Sequence, residues 1–315
     1  MDNRFANDAK LYDRYTLIIY TVPDMLHHFI LTRFNIRLFR HDKHGHSIEP
    51  KSWFEERLNL FETYTLPSIM GQTCQEFTWI LLVDSETPAA YRERMMEYRR
   101  RCPQITFIGV KEQYGWKFPL VFQKVVNKLL KEKGAENGDF CLTTYFDNDD
   151  CLNKNYIKDI HDRMQAGSQF PQEEGFLVYD YGIQFFAEMG TATRVKYPNN
   201  HFITLCERIA SGQNPSVRTC YGFGSHIDIE KRKAAPVRHV TDADKPMWIE
   251  VIHKGNVDND VMMTLNTRFV KDKQLLRTAF SLDVELQTGK KMKFFKRSLK
   301  QAWRRFHDRL FPRKW

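Results

Sequence analysis

Apolar and polar positions alternate in blocks along this chain, and the blocks predict strands and helices in turn. His27 to Asn35 reads as a strand running into a polar end, and residues 41–52 read as a loop holding Gly45 and Pro50. From Trp53 a helical period sets in, with Phe54, Leu58, Phe61 and Thr65 on one face, closing near Pro67 to Gln72. A strand from Phe77 to Val83 then ends at Asp84. It is followed by a helix from Pro88 to Arg101, a strand from Gln104 to Val110, a polar turn from Lys111 to Lys117, and a helix from Phe118 to Lys131. Apolar strands alternating with amphipathic helices predict an α/β domain with a largely parallel sheet. Such sheets bind ligands beyond the carboxyl ends of their strands, and Arg33, Asp84 and Asp147 each stand at such an end.

The most informative stretch is Phe140 to Phe146, a β-branched and aromatic run that opens directly onto Asp147-Asn148-Asp149-Asp150. Beyond it, Tyr156, Ile157, Ile160 and Met164 fall at helical spacing, with Asn153 expected as the N-cap. Three carboxylates between a strand and a helix repel one another, and a divalent cation with oxygen ligands would supply the counter-charge. A calcium EF-hand loop starting at Asp147 is excluded, because its sixth and twelfth positions would be Leu152 and Lys158 instead of Gly and Glu. A haloacid-dehalogenase-like phosphotransferase with Asp147 as nucleophile is weakened by Cys151, which stands where that pattern carries Thr or Val. Past residue 167 the texture becomes mixed. Phe176 to Phe186, Thr191 to Tyr197 and Arg218 to Phe223 read as short strands closing over the crevice, and Trp248 to Ile252 as a further run ending at His253. Tyr15 to Val22 reads as an extra strand or a lead-in segment.

The 315 residues suffice for a sizeable core, and the 24 phenylalanines argue for a packed chain. No run of eighteen apolar residues exists, and the first residues lack the apolar stretch of a signal peptide. Six scattered cysteines without a Cys-x-x-Cys pair point to reduced thiols, so the expected location is cytoplasmic. The net charge of +9 sits entirely in the tail, because residues 290–315 hold eleven Lys or Arg and one acid, Asp308. A near-neutral body argues against a nucleic-acid partner. In that tail, Met292, Phe295, Leu299, Ala302, Trp303, Phe306 and Leu310 fall within an arc of about 100° on a helix. Residues 286–315 are therefore expected to form a basic amphipathic helix that attaches peripherally to the anionic inner face of the cell membrane. A helix docked on the protein's own core is the alternative.

Pro67-Ser68-Ile69-Met70-Gly71-Gln72, the strand ending at Asp84, and Asp147-Asn148-Asp149-Asp150 together resemble the nucleotide-sugar half of family 2 glycosyltransferases. Thr32-Arg33-Phe34-Asn35 and the segment from Pro246-Met247-Trp248 to His253-Lys254-Gly255-Asn256 narrow the resemblance to a bacterial rhamnosyltransferase family, over roughly residues 27–260. The resemblance implies a GT-A, Rossmann-like fold with a mixed central sheet over residues 1–285, with a nucleotide-sugar half (27–150) and an acceptor-side half (151–265). It implies a nucleotide-sugar donor (dTDP- or UDP-linked), a glycan or lipid-linked acceptor, Mg2+ or Mn2+, and an inverting transfer in surface polysaccharide synthesis. Carried over by residue, Asp84 would meet the base or ribose, and Asp147 the ribose and metal. Asp149 would be the main metal ligand and His253 a further one, while Arg33 or Lys117 could contact phosphate. Asp244 and then Asp242 lie where that family keeps its proton acceptor, although the usual Glu-Asp pair is absent; Glu250 is the alternative. A non-catalytic membrane-binding protein with a structural cation remains a competing class.

Overall fold

The computed structural model describes residues 25–36, 38, 50–166, 174–233, 235–254, 268–287 and 303. Four parallel strands form the first half of the main sheet: β1 (Leu26–Arg33), β2 (Thr78–Asp84), β3 (Ile105–Val110) and β4 (Phe140–Tyr145). Residues beyond 151 complete it with β6 (Glu174–Tyr179), β9 (Ile203–Arg208) and β10 (Val237–Val240), in the order β10-β6-β9-β4-β1-β2-β3. Strand β9 runs antiparallel to both β4 and β6, so the sheet is mixed, as expected. A second sheet, in the order β12-β8-β7-β11-β5, contains β5 (Cys151–Leu152), β7 (Tyr181–Phe186), β8 (Thr191–Lys196), β11 (Trp248–Ile252) and β12 (Arg268–Phe269).

Period-two alternation sends the strand side chains to two cores. Phe29, Leu31, Ile80 and Leu82 meet Phe122, Val126 and Leu130 of α4 (Phe118–Glu132). Ile30, Trp79, Leu81 and Val83 meet Phe54 and Leu58 of α1 (Pro50–Leu60), Met95 and Tyr98 of α3 (Ala89–Arg101), and Ile157 and Ile160 of α5 (Tyr156–Gln165). Each such side chain, fully buried, contributes about 1.5–3 kcal/mol by leaving water. The helix of α1 does not stop before Pro67. It widens over Phe61–Thr65 into a π-turn, in which the Leu66 N–H donates to Phe61 O, and continues as α2 (Leu66–Met70). The wider turn accommodates a proline that has no N–H and whose ring would otherwise crowd the carbonyl four residues back.

Three sequence expectations change. The run from Phe176 to Phe186 is two strands in different sheets, broken at Asp180, whose N–H donates to Val240 O and whose carbonyl accepts from Tyr197 N. Apolar periodicity continues through the corner, so the pattern alone does not reveal it. Arg218 to Phe223 is not a strand: Thr219 takes a positive φ of 68° and Cys220–Phe223 forms a 3-10 turn, with the Cys220 N–H held by Thr143 Oγ1. The N-cap position of α5 falls to Asn155, while Asn153 accepts the Asn155 N–H and donates to Pro246 O. The expected strand at 15–22 lies outside the described residues, as does the C-terminal helix apart from an exposed Trp303 and its expected first residues, Leu286 and Gln287, which are not helical: Leu286 is buried in the core and the Gln287 N–H donates to Gly190 O. Among the described residues no helix is long and apolar enough to cross a membrane.

Trp248 of β11 links the two sheets, lying over Gly182 of the neighbouring β7, where a Cβ would stand 2.1 Å from its ring. That indole stacks on Phe202 at 4.9 Å and donates to Tyr179 O at 2.8 Å. Behind β1, His28 and His161 face each other within the core with Nδ1 and Nε2 3.0 Å apart. Burial holds both imidazoles below their ordinary range, most strongly His28, so both are neutral.

At the sheet edge, His239 of β10 bridges Asp180 at 2.5 Å and Glu230 at 2.9 Å. Burial pulls its pKa down, but the hydrogen bonds it donates to Glu230 and Asp180 outweigh it and the net shift is upward. A raised imidazole pKa stabilises the fold below the ordinary value of 6.5, and that stabilisation is lost as pH rises through the folded pKa. Urea unfolding of wild type and His239→Gln will therefore give a stability gap that is largest below pH 6.5 and shrinks at alkaline pH. A gap independent of pH would contradict the assignment.

Candidate functional site

Asp147 to Asp150 form the crossover from the first sheet to the second. Strand β4 ends just before them, with the Phe146 N–H donating to Leu31 O, and β5 begins just after, paired antiparallel with β11 through Leu152–Trp248 and Cys151–Ile249. Asn148 fastens the turn by donating to Phe34 O at 2.5 Å. The Ser68 and Gln72 motif lies behind it. Ser68 Oγ accepts from Leu152 N, and Gln72 donates to Asn153 O while accepting from Ile157 N. Both side chains are buried, so they position the acidic turn without lining its surface.

Charge around the turn is balanced residue by residue. Asp149 is buried against Arg57 Nη1 at 2.5 Å and His253 Nε2 at 2.9 Å. Burial alone would raise its pKa, but the Arg57 charge and the hydrogen bond with His253 outweigh it and hold the carboxyl well below the usual range. Asp150 accepts from the Val251 N–H at 2.9 Å and pairs with His201 Nε2 at 2.8 Å. Burial, reinforced by Asp149, pushes Asp150 up to about 7 against the pull of His201. The same pairing overcomes burial at His201 and raises it to about 9, so the proton of the pair rests on the imidazole. Asp147 is half-exposed and binds Arg33 Nη2 at 3.1 Å. Arg33 also donates to the Tyr145 hydroxyl at 2.6 Å, with its guanidinium within 5.2–5.8 Å of the Phe118, Tyr145 and Tyr221 ring centres.

The other expected site residues fall as follows. Asp84 ends β2, two strands from β4 with β1 between them. Its backbone N–H donates to Asn35 Oδ1, and its carboxylate accepts the Glu86 N–H. Lys117 is exposed, with its ammonium 5.8 Å from the Tyr114 ring centre, directly before the Phe118 that packs on Arg33. Asp242 and Asp244 occupy the loop between β10 and β11. Asp242 accepts the Asp244 N–H and pairs with Lys245, while Arg194 holds the Ala243 and Asp244 carbonyls. The alternative, Glu250, is buried on β11, accepts from Gln184 Nε2 at 2.7 Å, and acts electrostatically on His201.

Four contributors carried no signal in the sequence: Arg57, His201, Tyr221 and His226. His226 follows the turn at Cys220–Phe223 and lies edge-on to Tyr145 and His201, with ring centres 6.0 and 5.9 Å away. It has no hydrogen-bond partner among the described residues, and burial together with the His201 charge pushes it down to about 4. Its ring is therefore neutral.

The donor chemistry fits a divalent cation. Asp149 and His253 bring a carboxylate oxygen and an imidazole nitrogen to one point, a pairing suited to Mn2+ and less to Mg2+, which prefers oxygen. Asp147, Asp150 and His201 also offer one ligand atom each within 4.8 Å of the others. The Asp150 oxygens are engaged by Val251 and His201 and those of Asp147 by Arg33 and, more loosely at 3.4 Å, Tyr145; Asp147 is the more exposed of the two carboxylates.

A strand-end acidic turn backed by a Ser–Gln helix end thus lies on a mixed α/β sheet, the arrangement that the sequence resemblance to sugar transferases implies. The chain belongs to the glycosyltransferase family described as "Putative rhamnosyl transferase", whose profile matches residues 31–265. No curated protein matches the chain. Similar solved structures include S. aureus TarS 1–349 in complex with UDP, at 13% identity and a TM-score of 0.39, over 72% of this chain and 60% of that one. TarS 1–349 alone gives 11% identity and a TM-score of 0.37 over the same shares. The chain thus spans about 60% of the length of those structures.

Proposed function

We propose that this protein transfers a sugar, with rhamnose the first candidate, from a nucleoside diphosphate to a hydroxyl of a glycan or lipid-linked acceptor, with inversion. The observation that carries the reading is the buried pairing of Asp149 with His253 and Arg57 at the carboxyl ends of the parallel strands, where α/β sheets bind ligands. Asp149 and His253, with Asp147, would hold Mn2+ or Mg2+. The bound ion would neutralise charge on the departing diphosphate. Arg57 then becomes free to turn from Asp149 toward a phosphate oxygen, a charge-assisted contact that guanidinium geometry favours. Arg33 and Lys117 lie on the Phe118 side of the same turn and are proposed for the remaining phosphate charge. Asp84 is proposed for the ribose or base.

For the acceptor proton, Asp244 is the proposed base, with Asp242 beside it. The Asp244 carboxylate has no hydrogen-bond or ion-pair partner among the described residues. His226 is a second candidate, supported by its unpartnered neutral ring beside Tyr145 and His201. The proposed location is the cytoplasmic face of the cell membrane, with residues 286–315 on anionic lipid.

Calorimetry of the full chain with UDP and dTDP, with and without Mn2+, tests the reading. Metal-dependent binding of one nucleotide is expected, weakened on the order of 100-fold in Asp149→Asn. Folded wild type that binds neither nucleotide with Mn2+ would overturn the proposal. For the base, whichever of Asp244→Asn and His226→Gln removes the proton acceptor will lose about 10²–10⁴-fold in kcat with little change in donor KM. If both retain wild-type kcat, neither residue is the base.

A further inference from the structure

At the opposite end of the main sheet from the acidic turn, a thiol, a carboxylate and an imidazole converge from separate elements. Cys74 and Glu76 lie in the segment leading from α2 into the amino end of β2, and His161 projects from the buried face of α5. One ligand atom from each lies within 4.8 Å of the other two. Cys74 Sγ is 3.6 Å from His161 Nδ1. A tetrahedral zinc ion, with bonds of about 2.3 Å to sulfur and about 2.0–2.1 Å to nitrogen, sets those two ligand atoms roughly 3.5–3.6 Å apart.

A thiol hydrogen-bonded to an imidazole would show a similar separation, so the distance alone does not decide between them. The groups behind His161 add a second observation. His161 Nε2 is 3.0 Å from His28 Nδ1, His28 Nε2 is 2.8 Å from Thr144 Oγ1, and that hydroxyl is 2.7 Å from Thr204 Oγ1. When His28 donates to Thr144, its Nδ1 accepts the His161 Nε2–H, and the lone pair of His161 Nδ1 is aimed at Cys74. Metal-binding histidines are oriented in this way, by a partner on the ring nitrogen remote from the ion. The outer side of the cluster is open, because Cys74 is half-buried and Glu76 exposed while His161 is buried. An ion can therefore enter from solvent and keep water in its fourth position. Lys158 nearby is already neutralised by Asp162 at 2.7 Å.

We propose that Cys74, Glu76 and His161 form a binding site for a zinc-class transition-metal ion. Cys74 binds as the thiolate and releases its proton to solvent, Glu76 and His161 complete the protein ligands, and water fills the open position. The ion clamps the approach to β2 onto α5, adding to the Thr73 N–H bond to Lys154 O at 2.7 Å. It uses none of the residues proposed for nucleotide binding, so the two proposals stand or fall separately.

Titration of the reduced full-length protein with Co2+ tests it. One equivalent is expected to give a sulfur-to-cobalt charge-transfer band with intense tetrahedral d–d absorption, both bleached by Zn2+. Cys74→Ser will abolish the charge-transfer band, and His161→Gln and the surface change Glu76→Gln will each weaken binding by about 10–100-fold. Asp149→Asn, which disrupts the acidic turn, will leave the band unchanged. Absence of the band in wild type, or its survival in folded Cys74→Ser, would overturn the site.

Discussion

Two buried carboxylates, Asp149 and Asp150, at the point where the chain leaves one sheet for the other, set the terms for the whole molecule. A buried charge left without a partner costs several kcal/mol, so each must be matched where it lies. The partners come from distant stretches: Arg57 from α1, His201 from the approach to β9, and the Val251 N–H and His253 from β11 and its end. Satisfying the turn therefore requires both sheets and the first helix to be assembled together. The Ser68 and Gln72 stitches and the Asn148 bond to Phe34 O fix the same turn from behind.

That charge balance also suits the proposed chemistry. Asp150 is committed on both oxygens and acts as the structural member, while Asp147 and Asp149 face partners able to change. In the proposed reaction Arg57 and Arg33 would be the exchangeable cations. Each would pass from a carboxylate to a phosphate when a metal-bound diphosphate arrives, so the site stays near neutrality throughout. Aromatic walls around Arg33, from Phe118, Tyr145 and Tyr221, keep its guanidinium in place while its polar partner changes.

Local pattern and strand-end position were legible in the sequence; long-range pairing was not. The strand into Asp147, the strand ending at Asp84 and the buried face of Phe54, Leu58 and Phe61 follow from periodicity, and all are present. The break at Asp180 escaped because β6 and β7 are both apolar, and a change of sheet leaves no mark in a period-two pattern. Strand β9 also went unread, although it links β4 to β6. Arg57, His201 and His226 reach the acidic turn from 92, 51 and 79 residues away in sequence (measured from Asp149, Asp150 and Asp147), separations at which no spacing rule operates. Their contributions are set by tertiary packing alone.

The proposed metal site is tested most directly by pulsed electron paramagnetic resonance of Mn2+ bound to the full chain with a nucleoside diphosphate. Coupling of the ion to phosphorus and to a histidine nitrogen is expected, with the nitrogen coupling lost in His253→Gln and the phosphorus coupling kept. Mn2+ that shows phosphorus coupling but only water and no imidazole in folded wild type would contradict the role given to His253. Mn2+ with neither coupling would contradict the site itself.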